Sequence, residues 1–191
     1  MRKIVFDIET TNIFQDVGKN DPALLNLAVV GIHDSETNEY SCYEQEELSK
    51  LWPILEKADL LVGFNSEHFD IPLLNKYYPG DLRKIKSVDI MKEIKNSFGR
   101  RIGLGHIAES TLGVGKSGSG LQSVEWWRRG EKDKVKKYCL QDVKVTKELY
   151  EFALKNNYLR TKEGEKYIDI KFDTSLWEQM PKKSVTQTLL F

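Results

Sequence analysis

The pattern of apolar and polar residues predicts short strands early in the chain and longer helices later. Apolar runs at 3–8, 26–32 and 59–63 are typical of buried strands, and 87–89 predicts one more. The segment 40–43 follows a polar turn and is expected to pair with 26–32 as a hairpin. Strands mixed with helices in this order predict an α/β domain with a mixed sheet.

Apolar residues at helical spacing predict helices at 46–57, 70–77, 102–112, 122–129 and 131–155. The first contains Pro53, which predicts a kink or a late start. The last has the clearest apolar stripe, formed by Val135, Tyr138, Val145, Leu149 and Phe152. A late hairpin is predicted from 158–159 and 167–172, which flank a turn-like segment.

A chain of 191 residues is expected to form one domain. We expect residues 1–180 to be that folded domain. Residues 181–191 begin polar and basic and end in Leu189-Leu190-Phe191, which predicts a flexible tail.

Charge and cysteine usage exclude several classes of protein. Lys+Arg and Asp+Glu both number 29, so the net charge is zero and any nucleic-acid-binding surface must be local. Cys42 and Cys139 lack the spacing of zinc ligands, which favours a reducing interior. Met1-Arg2-Lys3 leads directly into a predicted strand, and no apolar run reaches membrane-spanning length. We therefore expect a soluble cytoplasmic protein with no membrane partner.

Four acidic residues occur in three separate motifs with apolar or aromatic neighbours. Asp7 and Glu9 lie in Val5-Phe6-Asp7-Ile8-Glu9-Thr10, Asp70 ends the segment 63–70, and Asp142 follows Tyr138 by four residues. Residues two apart on a strand share a face, as do residues four apart on a helix. Burying carboxylates is unfavourable unless a cation neutralises them, and oxygen ligands suit Mg²⁺ and Mn²⁺. The four acids therefore predict a phosphoryl-transfer site with two such ions.

Residues beside these acids are candidates for positioning water and substrate. The hydroxyl of Tyr138 can orient the attacking water, whereas its ordinary pKa of about 10 argues against a role as base. Asn65 is expected to hydrogen-bond within the loop that carries Asp70. Phe69 is expected to pack underneath or to wedge against a terminal base, and Thr10 to meet the terminal nucleotide.

The glycine-rich segment 113–120 predicts a flexible loop, in which Lys116 either contacts the substrate backbone or belongs to a plain connector. It does not match a nucleotide-binding phosphate loop, because Ser110 occupies the position of the required first glycine. The basic run at 128–137 is either a solvated helix face or a contact for phosphates. His33, His68 and His106 are expected at the surface or in loops rather than as metal ligands.

Together the three motifs resemble those of the DEDD 3′–5′ exonuclease superfamily, over about residues 3–159. Lys137 stands where the histidine subclass has its histidine, and Tyr138 places the chain with the tyrosine subclass, as in the proofreading domains of family B DNA polymerases. Segment 113–120 with Trp126 and Trp127 is also similar to stand-alone bacterial exonuclease domains.

This resemblance implies a ribonuclease-H-like fold, with a mixed β-sheet flanked by helices. It implies a site that uses Mg²⁺ or Mn²⁺ and releases nucleoside monophosphates from a 3′ end. The metal ligands would be Asp7, Glu9, Asp70 and Asp142, with Tyr138 positioning the water.

The last five residues resemble the short peptide with which bacterial replication and repair proteins bind the sliding clamp. Leu190 and Phe191 would fill an apolar pocket and Gln187 would hydrogen-bond at its rim. Thr188 departs from the leucine that is usual there, and the alternative is a tail that packs on its own domain.

The sequence therefore predicts an exonuclease for single-stranded or frayed DNA in replication or repair, tethered to the clamp by its tail. Two alternatives stay open. One is an exoribonuclease with the same site, and the other is a catalytically silent, clamp-associated binding module.

Overall fold

The computed structural model describes residues 1–115 and 118–179. Five strands form one sheet with the order β3-β2-β1-β4-β5. Their bounds are β1 Lys3–Thr10, β2 Leu27–Asp34, β3 Glu39–Glu44, β4 Leu60–Gly63 and β5 Ser87–Asp89. β1, β2 and β3 pair antiparallel, whereas β4 and β5 run parallel to β1. The predicted strands and the predicted mixed sheet are confirmed.

The α-helices within the described residues are α1 Phe14–Val17, α2 Leu48–Glu56, α3 Asp70–Leu74, α4 Ile90–Phe98, α5 Leu104–Leu112, α6 Gly120–Arg128 and α7 Lys132–Asn156. Of these, α1 and α4 were not predicted. The prediction of a helix over 70–77 was too long, because Asn75 ends it: its side chain donates to Asp81 (3.1 Å) and accepts from the Leu82 amide (2.9 Å). Pro53 lies inside α2, which begins five residues earlier at Leu48, so the late start predicted from this proline is wrong.

Two apolar cores cover the two faces of the sheet, because side chains on a strand alternate between faces. On β1, Val5 belongs to the core that contains Val143 and Leu149 of α7. Ile4, Phe6 and Ile8 belong to the opposite core, beneath α2 and α3. The molecule therefore has helices on both faces of a mixed sheet, and Asp7 and Glu9 lie on the face of β1 that α7 covers.

The predicted late hairpin is confirmed as β6 Tyr158–Glu163 and β7 Lys166–Lys171, which form a separate two-stranded sheet. Its turn contains Gly164 in the left-handed region (φ +58°). After β7 the chain returns to the body, where Trp177 stacks on Tyr150 with ring centroids 5.7 Å apart. Within 1–115 and 118–179 no helix has the length and apolar character needed to cross a membrane.

Candidate active site

A close contact between α7 and the sheet brings the third motif to the first. Gly31 of β2 lies opposite Asp7 in the register of the sheet. A Cβ atom at Gly31 would lie 2.8 Å from Sγ of Cys139, so only a glycine lets α7 approach this closely. Cys139 then donates a hydrogen bond of 3.3 Å to the carbonyl oxygen of Asp7. Its neighbours on α7, Tyr138 and Asp142, are thereby held beside β1.

Three of the four predicted acids converge. One carboxylate oxygen from each of Asp7, Glu9 and Asp142 lies within 4.8 Å of the other two. Asp70, at the start of α3, lines the same cleft, as does Tyr138. The cleft has a volume of about 550 Å³. The structure thus brings all five predicted catalytic residues together from three distant parts of the chain.

Burial and neighbouring carboxylates raise the pKa values of Asp7 and Glu9. Burial is the main cause of the raised pKa of Asp7, and the charges of Asp142, Asp70 and Glu9 raise it further. Burial raises the pKa of Glu9 to about 8, although the Ser123 hydroxyl facing it acts in the opposite direction. Sequence reasoning did not identify Ser123, because its role depends on a contact between α6 and β1.

The other two acids respond to different neighbours. The pKa of Asp70 is raised to about 8 by burial and then by the charge of Asp89. Burial raises the pKa of Asp142 to about 6, and the Tyr138 side chain partly offsets this rise. Protons or cations must therefore neutralise much of the cluster near neutral pH.

The cluster fits a divalent cation. Oδ2 of Asp7 is buried and has no hydrogen-bond partner among the described residues. Within those residues no lysine or arginine forms an ion pair with any of the four acids. Carboxylate oxygens without a protein cation suit a hard ion such as Mg²⁺ or Mn²⁺. Asp7, Glu9 and Asp142 can contribute ligands to one ion, with Asp70 available in the same cleft.

Tyr138 stays protonated in this environment. Burial, followed by the charges of Asp142 and Glu9, raises its pKa far above the ordinary value. Its ring packs edge-on against Trp126, with centroids 6.1 Å apart. A neutral phenol fixed by an aromatic neighbour can donate a hydrogen bond but cannot serve as a base.

Asp89 holds the turn that leads to Asp70. Asn65 lies in the left-handed region (φ +66°), and its amide donates to Asp89 at 2.8 Å. The Glu67 amide donates to the same carboxylate at 3.0 Å, and the carbonyl of Asn65 accepts from Phe69 at 3.0 Å. Asn65 therefore fixes the loop through its backbone. In the sequence, the one indication of a role for Asp89 was its position at the end of β5, directly before α4, a helix that was not predicted.

An apolar wall lines part of the same cleft. Phe14 and Phe69 meet edge-to-face with centroids 6.0 Å apart, and Leu121 is 63% exposed. Thr10 also lines the cleft, but its hydroxyl donates to the carbonyl of Asn12 (2.8 Å). Phe14 and Leu121 were not predicted as site residues, because neither belongs to one of the three motifs.

Three further predictions have separate outcomes. Lys116, Gln187, Leu190 and Phe191 lie outside the described residues. In the basic run at 128–137, five of the six cations form ion pairs, and they share three carboxylates, those of Asp16, Glu44 and Glu131. The prediction of a surface position for His33 was wrong: it is 3% exposed, and its Nε2 lies 3.0 Å from the side-chain oxygen of Asn38.

Comparison with known proteins supports the architecture. A family model described as the RNase_H superfamily matches residues 4–154. A search of curated proteins gives no match. Among solved structures, the chain is similar to the family B DNA polymerase of the hyperthermophilic archaeon Pyrobaculum calidifontis, with 21% identity and a TM-score of 0.62. The match covers 81% of this chain and 24% of the polymerase, so the chain spans about a quarter of that protein's length.

Proposed function

The chain belongs to the RNase H superfamily, and from that premise we propose that it is a metal-dependent 3′–5′ exonuclease of the DEDD tyrosine subclass. Its substrate is single-stranded or frayed DNA. One observation carries the proposal: oxygens of Asp7, Glu9 and Asp142 lie within 4.8 Å of one another, in the cleft that also contains Asp70 and Tyr138.

Two Mg²⁺ or Mn²⁺ ions would be held by Asp7, Glu9, Asp70 and Asp142. When bound, such ions polarise the scissile phosphate, lower the pKa of the attacking water and stabilise the leaving oxygen. The buried and unpartnered Oδ2 atom of Asp7 supports this assignment, because it supplies a ligand that no protein donor occupies within the described residues.

Tyr138 positions the attacking water through its hydroxyl group. It keeps its proton because burial and the neighbouring carboxylates oppose ionisation. Its packing against Trp126 fixes the ring, and its hydroxyl lies in the same cleft as Asp142. The tyrosine thus contributes orientation, whereas removal of the water's proton is left to other groups.

The apolar wall of the cleft receives the terminal nucleotide. Phe14, Phe69 and Leu121 present aromatic and aliphatic surface to the cleft, and nucleobases stack on such surfaces without sequence preference. DNA is preferred over RNA in the proposal because the solved structure that shares the fold is named as a DNA polymerase.

The proposal also includes the division of the chain into a domain and a tail. Residues 1–180 form one exonuclease domain, and residues 181–191 a tail that binds a sliding clamp through Gln187, Leu190 and Phe191. That tail lies outside the described residues, so this part rests on its sequence alone. Tethering would raise the effective concentration of the enzyme at primer ends during replication or repair.

Degradation of a 5′-labelled DNA oligonucleotide tests the proposal directly. The reaction is run with Mg²⁺, Mn²⁺ or EDTA, beside an RNA of the same sequence. A ladder of products shortened from the 3′ end, formed with metal and absent with EDTA, is the expected result. A ladder formed only on RNA would change the proposed substrate from DNA to RNA. No cleavage of either strand with either metal would overturn the proposal.

A further inference from the structure

A second cavity, here called the basic pocket, lies beside the acidic cleft. Its volume is about 370 Å³. Its lining includes Asn65, His68, Lys92, Lys95, Asn96 and Arg101. These residues come from the turn before α3, from α4 and from the segment after α4. Their spacing in the sequence therefore did not predict that they form one pocket.

The acids of the basic pocket are already engaged. Asp89 accepts hydrogen bonds from four backbone amides, those of Asn65, Glu67, Met91 and Lys92. Glu67 pairs with Lys92 and also accepts from the Ser87 hydroxyl. The carboxylates of the pocket are thus occupied by the protein itself.

Two cations of the basic pocket are available to a ligand. Lys95 and Arg101 are exposed, and within residues 1–115 and 118–179 neither forms an ion pair. An arginine and a lysine with nearby amide side chains recognise phosphate oxygens. The pocket therefore offers sites for a phosphodiester backbone.

Asn65 connects the basic pocket to the acidic cleft, because it lines both. A strand whose 3′ end reaches Asp7 and Asp142 in the cleft must leave that cleft past one of its edges. The edge at Asn65 is the one that adjoins the two cations, Lys95 and Arg101.

We propose that the basic pocket binds the sugar-phosphate backbone of the substrate strand on the 5′ side of its terminal nucleotide. The proposal deepens the proposed function and rests on it for the direction of the strand. Lys95 and Arg101 contact phosphates, so they set the affinity for a strand of several nucleotides and leave hydrolysis of the terminal bond unaffected.

The variant Lys95→Ala/Arg101→Ala tests the pocket with two substrates. One is a 12-nucleotide oligothymidylate, and the other is the p-nitrophenyl ester of thymidine 5′-monophosphate, which carries a single nucleotide. The matched control is Lys57→Ala/Lys166→Ala, which removes two exposed lysines that line neither cavity.

For the pocket variant we expect KM for the oligonucleotide to rise about tenfold with kcat unchanged, and the small ester to be hydrolysed as by the wild type. The slope of log KM against log salt should also fall by about 0.7 for each lost phosphate contact. An unchanged KM for the oligonucleotide, with the ester still hydrolysed, would overturn the pocket and leave the exonuclease in place.

If the wild type hydrolyses neither substrate, the proposed function fails, and metal-free fluorescence anisotropy with labelled oligothymidylate then decides on the pocket. Weaker binding by the pocket variant than by the control variant would support the proposal. Equal binding by the two variants would overturn it.

Discussion

The thiol of Cys139 donates a hydrogen bond of 3.3 Å to the carbonyl oxygen of Asp7. This contact joins two residues that are 132 positions apart in the chain. It ties the middle of α7 to β1 next to the acidic cluster. The separation between the helix and the strand therefore controls whether Asp142 reaches Asp7 and Glu9.

Gly31→Ala should move α7 and disturb the cluster. The added Cβ atom would lie 2.8 Å from Sγ of Cys139 and 3.2 Å from Cγ2 of Val143, so the helix must shift. We expect a loss of about 1–3 kcal/mol in the free energy of unfolding and a fall in kcat of more than about tenfold. Urea denaturation and oligonucleotide cleavage measure both. Gly103→Ala is the control, because a methyl group added there would have no described neighbour within 4 Å and the φ of Gly103 is ordinary. Equal behaviour of the two variants would contradict the role given to Gly31.

Replacing Asp7 should lower activity and raise the stability of the metal-free protein. Asp7→Asn removes a buried carboxyl group that must bind a proton or a cation in the folded state, because burial and three other carboxylates raise its pKa. We expect cleavage to fall by more than about 10³-fold while the metal-free protein gains about 1 kcal/mol, or roughly 2–4 °C in Tm. Thermal unfolding with and without Mn²⁺ should also show that metal no longer stabilises the variant. Wild-type cleavage by Asp7→Asn would remove the catalytic assignment.

Stability of the metal-free protein should decrease as pH rises. Glu9 and Asp70 have folded-state pKa values of about 8, and Asp142 about 6, above their ordinary values of 4.5, 3.8 and 3.8. The folded state therefore binds more protons than the unfolded chain between about pH 4 and 8. Stability from these groups is fully present below about pH 4 and is lost as pH rises through about 8.

Thermal unfolding at pH values of about 5.5, 7 and 8.5 in EDTA measures this trend. Saturating Mn²⁺ should flatten it, because a bound cation replaces the protons. A metal-free Tm that rises toward the highest pH would contradict the raised pKa values.

Tyr138→Phe should reduce kcat by about 10- to 100-fold without weakening metal binding. The ring that packs against Trp126 is retained, and only the hydroxyl near Asp142 is lost. Calorimetric titration with Mn²⁺ checks the metal site, and the pH profile of kcat checks the role. Because the tyrosine stays protonated, the variant should keep the shape of the wild-type profile. Loss of one limb of that profile would instead identify Tyr138 as an ionising group.

Deleting residues 187–191 should leave cleavage of short oligonucleotides unchanged and remove binding to a bacterial sliding clamp. The matched control, Thr188→Ala, keeps the residues proposed to enter the clamp pocket. Surface plasmon resonance on immobilised clamp compares the two proteins. Undiminished clamp binding after the deletion would refute the tethering proposal.

Much of the fold could be predicted from local patterns. The apolar runs of β1, β2 and β4 predicted buried strands, and the acids of the three motifs identified one cleft. In contrast, α4 was missed although Ile90, Ile94 and Phe98 recur every four residues, which is a helical spacing, and although Met91 and Phe98 also pack against the core. The stripe predicted for α7 also omitted Cys139 and Val143, which are completely buried.

What escaped prediction depends on contacts between distant residues. Glu44 of β3 pairs with Lys132 and Lys136 of α7, and no local sequence pattern predicts that pairing. Asp89 reaches the loop before α3 only through the pairing of β5 with β4. Apart from Asn65, residues whose role is to hold another residue therefore needed the structure, whereas residues that carry the chemistry were visible as motifs.

The basic run has a consequence for how quickly the protein finds its substrate. Five of the six cations between 128 and 137 form ion pairs, but they share only three carboxylates, so these groups together keep a net positive charge near Tyr138. A local positive charge attracts a polyanion and raises its rate of association, and salt screens this attraction beyond about 10 Å at 0.1 M. Capture of a strand end should therefore slow as the salt concentration rises.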